Sequence, residues 1–203
     1  MPPFGGSEQL LVTRLRAGMA GGIHRTMGLS IAGAGVALIA ASFAVWGKAR
    51  IVATYKGALA SETYSFPGVG DPTIAVTYSD NTANANLNVS DPSSLLVNTH
   101  PGWITLLLGI VALIAGSAYL WSNHRKAVAT VVAVVGSIVG ALCASYFFDL
   151  RSTFGDPPDL ASADFSPAIG LVGSCILAFA LVALGIAAYI IETRRTRLIG
   201  LPY

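Results

Sequence analysis

The chain alternates long apolar runs with shorter polar ones. Four stretches, residues 27–46, 103–121, 127–148 and 167–191, contain no Asp, Glu, Lys, Arg or His. Each is long enough to cross a bilayer, which takes about 17–25 apolar residues. In hydrocarbon a spanning segment must satisfy its own backbone, so all four are predicted to be helices. The β-branched run at 128–135 favours strand in water, but its length and apolar context override that propensity. The expected fold class is an all-α integral membrane protein: a four-helix transmembrane bundle with a small β-rich loop outside the membrane.

The polar connections divide the rest. Residues 1–26 form an arm before the first span, with Met1–Gly6 rich in Pro and Gly. Ser7 is placed to cap a short helix over 8–16 with Leu10, Leu11 and Leu15 on one face. An interfacial helix and an unstructured arm both fit this segment. The first long loop, 47–102, has 56 residues, too many for an idle connection. Residues 51–55 and 73–78 are β-rich. Leu87 and Val89 alternate with polar neighbours, with a turn at 79–82 before them. A small antiparallel sheet packed on the helix ends is expected. Residues 122–126 form a short turn, 149–166 an acidic and irregular loop that can lie on the sheet, and 192–203 a tail.

Composition fits this picture. Hydrophobic residues make up 54% of the 203, and charged residues 11%, where a soluble domain has about 25%. Mean hydropathy is +0.66. These values exclude a soluble enzyme and a disordered chain, and a net charge of +2 gives no field for a nucleic acid. Charge placement sets orientation. The arm, the short turn and the tail carry eight Lys or Arg, against four in the two long loops, while eight of the ten acids lie in those loops. Both termini are therefore expected in the cytoplasm of a bacterial inner-membrane protein, with Arg14, Arg16 and Arg25 facing lipid phosphates. A cleaved signal peptide is not expected, because the first apolar run exceeds the usual 7–15 residues. Trp46, Trp103, Tyr119, Trp121, Tyr146, Phe147, Phe148 and Tyr189 fall at span ends, as a membrane-anchoring belt would.

Catalytic and cofactor chemistry is missing from the spans. Pumps, haem sites and coupled transporters need ionisable groups within the membrane. His24, His100 and His124 all fall at span edges. Cys143 and Cys175 share a depth, where a disulfide and a pair of free, buried thiols both fit, the free form being the expected one. Asp156, Asp159 and Asp164 do not have the spacing of a Ca²⁺ loop. No metal, cofactor or catalytic group is predicted. The spans do carry small residues at four-residue spacing, which let helices approach closely. They include Gly33, Ala37 and Ala41 in the first and Gly136, Gly140 and Ala144 in the third. These faces serve either the internal packing of the bundle or the docking of a partner's helix.

In topology alone the chain is similar to claudins, but 47–102 lacks their Gly-Leu-Trp and Cys-Cys signature. Nine Arg to three Lys, with abundant Ala, Val and Gly, fits a GC-rich genome. In size, topology and composition the chain resembles small four-helix membrane proteins of actinobacteria, and among them the lipid-uptake coordinator subunit that accompanies Mce-type lipid importers. The resemblance implies a non-catalytic accessory subunit of a cell-envelope lipid transport system, partnered by membrane lipids and other integral subunits. The alternatives are an accessory subunit of a respiratory supercomplex and a self-assembling channel.

Overall fold

A computed structural model describes residues 6–55, 58–78, 102–150 and 164–199, with the backbone alone for 6–21, 51–55, 58–60, 62, 74, 76–78 and 196–199. Four helices, α1 (Gly6–Phe43), α2 (Gly102–Trp121), α3 (Arg125–Phe148) and α4 (Ile169–Ile199), are joined by β1 (Val45–Tyr55), β2 (Ala58–Pro67), β3 (Thr73–Tyr78) and β4 (Asp164–Pro167). All four helices contain a segment long and apolar enough to cross a membrane, and the chain is a multi-pass membrane protein. Leu29, Val36, Ile114, Ile176 and Phe179 stand exposed along the helices, as side chains solvated by lipid do.

Each helix begins or ends within a few residues of its predicted span, but two boundaries matter. At the start of the chain α1 runs unbroken from Gly6 rather than forming a separate helix over 8–16. Its 38 residues rise to about 57 Å, nearly twice the hydrocarbon thickness of about 30 Å. At its other end it stops at Phe43, three residues before Trp46, and β1 follows almost at once.

The helices pair as two hairpins, α1 with α2 and α3 with α4, while α2 and α3 touch less. Glycine makes the close pairs possible. A Cβ on Gly35 would lie 2.6 Å from the Leu113 amide of α2, and one on Gly185 would lie 2.6 Å from the Ala133 amide of α3. Gly116 and Gly136 meet the facing backbone in the same way. Without a hydrophobic drive between helices in lipid, backbone proximity of this kind supplies the packing.

The sheet has the order β3-β2-β1-β4 with every neighbour antiparallel. Arg50 pairs with Thr63 on one side and Asp164 on the other. Its 51–55 and 73–78 strands were expected; β2 and β4 are additions. The proposed third run at Leu87–Val89 and the turn at 79–82 lie outside the described residues.

Trp46 holds the sheet to the bundle. Its indole is fully buried, and Nε1 donates to the Ala41 carbonyl at 2.9 Å. The Ala44 amide donates to the same carbonyl at 3.2 Å, so the indole is a second donor at the C-terminal end of α1. Gly68 and Gly170 press against the ring so closely that a Cβ on either would collide with it. Around it Gly68 donates to Ala44, Gly102 to Gly68 and Ala168 to Trp46. The starts of α2 and α4 are thus tied to the end of α1. Trp46 was expected in the interfacial belt, and so was Tyr119, but both are fully buried. Trp103, Trp121, Phe147, Phe148 and Tyr189 are exposed, as an anchoring belt requires.

Candidate functional site

The opposite end of the bundle, at the α2–α3 turn, is polar. The burial phase of α4 runs through Leu181, Gly185 and Ala188, and continues to Glu192. On α1 it runs back through Leu38, Gly35, Ile31 and Gly28 to His24. Both ionisable residues therefore face the core one turn beyond the apolar run. Tyr119 of α2 reaches them from the third side.

Four helices converge on the Glu192 carboxylate. The Tyr119 hydroxyl donates to Oε1 at 3.4 Å. His24 Nδ1 lies 3.1 Å and the Arg125 guanidinium 4.0 Å from the same oxygen. On the far face of the imidazole, Arg195 Nη1 lies 3.2 Å from Nε2. A guanidinium only donates, so Nε2 accepts and the ring proton sits on Nδ1, toward Glu192. That Nδ1–Oε1 approach is close but off the hydrogen-bonding direction, so it is held by charge and dipole. Arg125 also lies 6.0 Å from the Tyr119 ring centroid, within cation–π range.

A carboxylate only 8% exposed must be paired to be tolerated, and the cluster supplies that pairing. It leaves an excess of positive charge. Beside it opens a cavity of about 480 Å³, lined by Asn123, His124, Arg125, Lys126, Arg195 and Glu192. The chemistry available is attraction of an anion.

His24 lies at a span edge, as expected, and there it is buried between the helices. Sequence reasoning missed Glu192 and Tyr119 as site residues, having assigned them to the tail and the belt. The legible signal was phase: Glu192 stands four residues after Ala188 and eleven after Leu181 on one helix face.

The small-residue faces divide. Gly136 is spent inside the bundle, where a Cβ would lie 2.8 Å from the Val182 amide. Gly140 is half-buried, with Ala178 at ordinary contact distance from its would-be Cβ, and Ala144 is exposed. On α1 the packing face is Gly28–Ala32–Gly35, not the expected one. Gly33 is exposed, and a Cβ there meets nothing within 4 Å among the described residues. Ala37 and Ala41 are half-buried. Arg25 is exposed at the polar end, whereas the side chains of Arg14 and Arg16 lie outside the described residues. The thiols of Cys143 and Cys175 face each other between α3 and α4 and are free. No group of three metal-ligating side chains occurs among the described residues, of which Asp156 and Asp159 are not part.

No known protein family, curated protein or solved structure matches this chain.

Proposed function

We propose that this protein is a non-catalytic accessory subunit of a larger complex in a bacterial inner membrane, one that moves lipids through the cell envelope. The observation that carries the reading is the junction of α1 and β1. The sheet rises from the bundle without a linker and is fixed there by the Trp46 indole. A platform held rigid relative to the membrane suits a subunit that presents a surface to other subunits. The interlocked helix pairs support the same reading, since glycine-to-backbone packing leaves little room for an aqueous path along either hairpin. In this reading the polar end faces the cytoplasm and the sheet faces outward. Arg25, Arg125, Lys126, Arg194 and Arg195 at the polar end agree with that placement.

The test is to tag the C-terminus, extract in mild detergent and identify what co-purifies. A stoichiometric set of lipid-transporter subunits is the expected result. Respiratory subunits in their place would move the protein to that machine, and purification alone would overturn the proposal. Gly33→Leu sharpens the test. The position is open, so the variant should insert and fold as before while its partners are lost if α1 docks them. Gly136→Leu cannot serve, because it would wedge α3 from α4.

A further inference from the structure

Two cavities adjoin beside the α2–α3 seam, meeting at Ala127. One is the cationic cavity at the polar end. The other is an apolar groove of about 360 Å³ between the helices, lined by Val111, Ile114 and Ala115 of α2 and by Val128 and Val131 of α3. The seam is thus wholly apolar, and beside its polar end lies a cationic cavity, the mouth, formed by the α2–α3 turn, the start of α3 and the end of α4.

We infer that this seam binds one anionic glycerophospholipid, its phosphate against Arg125, Lys126 and Arg195 and one acyl chain in the α2–α3 groove. The site goes beyond the accessory role and does not depend on it.

Three observations fit this occupant. The mouth has three permanent cations against one acid among its lining residues, and that acid is already engaged with His24 and Tyr119. The Arg125 Nε donor is buried with no partner among the described residues. The α3 N-terminus opens at the same mouth, and the His124 side chain does not cap it, which leaves its dipole available to an anion. Depth agrees as well. Val131 lies six residues into α3 and Val111 ten residues from the end of α2. At 1.5 Å per residue they stand about 9 and 15 Å below the mouth, within one leaflet. Acyl chains are already in an apolar medium, so the groove orients the lipid while the headgroup charge selects it.

The experiment is native mass spectrometry of the full chain released from nanodiscs of equal phosphatidylglycerol and phosphatidylcholine. One phosphatidylglycerol should be retained in preference to phosphatidylcholine. Lys126→Gln, which lies outside the Glu192 cluster, should weaken that retention about fivefold, as one fewer basic group near an anionic headgroup does. Arg25→Gln, exposed at the same end but outside the cavity, should leave it unchanged. Val131→Trp should lower it by filling the groove. Equal retention of both lipids would overturn the site. So would equal losses in the Lys126 and Arg25 variants, which would reduce it to general surface charge. Displacement of the lipid by millimolar inorganic phosphate would also overturn it, because the ligand would then be a free anion.

Discussion

At the sheet end, the end of α1, the end of β2 and the starts of α2 and α4 meet around the Trp46 indole through backbone hydrogen bonds and glycine contacts. At the polar end, all four helices meet around the Glu192 carboxylate through His24, Tyr119, Arg125 and Arg195. Trp46 Nε1 finds its acceptor within the chain, and its neighbours leave no room for a single extra carbon. The polar end leaves the Arg125 Nε donor without a partner among the described residues and a cavity open beside it. One end is closed by shape, and the other is balanced by charge and unfinished. A closed end holds geometry; an unfinished one can accept a ligand.

Breaking the closed end should cost most. Trp46→Ala empties the largest fully buried side chain among the described residues and removes its donor to Ala41. A loss of about 3–5 kcal/mol is expected for such a deletion. It should appear as a lowered thermal midpoint of the full chain in detergent micelles, with faster proteolysis in the sheet. A loss below about 1 kcal/mol, less than the removal of one well-packed buried side chain, would show that the glycine contacts alone hold the sheet.

Breaking the balanced end should cost less. Glu192→Gln keeps the size and the acceptor facing Tyr119 but removes the charge that balances Arg125 and Arg195. Hydrogen bonds to charged groups contribute about 1.5–3 kcal/mol, and half-exposed arginines recover some of that from solvent. A loss of about 1–2 kcal/mol is expected in the same unfolding assay. An unchanged or raised midpoint would show that burying the carboxylate costs more than its attractions return.

The contrast between the ends also explains what the sequence revealed. Spans are legible because length and apolarity are summed over some twenty residues, so a local exception changes little. The β-rich 51–55 and 73–78 runs were legible by side-chain type. The β2 strand was not, because its Ala, Ser and Glu positions have little strand preference and pairing with β1 supplies what they lack. The two keystones were hidden by position. Trp46 and Tyr119 stand where anchoring aromatics stand, and only the fold shows that each turns inward. Glu192 sits just past an apolar run, where charge normally marks the end of a span, yet helical phase carries it into the core. On α1 the 33/37/41 and 28/32/35 small-residue registers overlap, and composition cannot choose between them.

The smallest expected effect is the coupling between the two ends. Along α1, His24 and Phe43 are nineteen residues apart, about 28 Å of helix. Trp46 and Glu192 share no partner among the described contacts. Mutations so separated usually add to within about 0.5 kcal/mol. A double-mutant cycle of Trp46→Ala with Glu192→Gln should therefore give an interaction energy no larger than that. A cycle of Tyr119→Phe with Glu192→Gln removes the donor of one hydrogen bond and the charge on its acceptor, and should give about 0.5–1.5 kcal/mol. The order of the two values carries the argument. If the distant pair couples as strongly as the near one, the glycine-locked hairpins carry strain from end to end. Loading the polar end would then be felt at the sheet. If the order holds, the sheet stays fixed whatever the polar end binds.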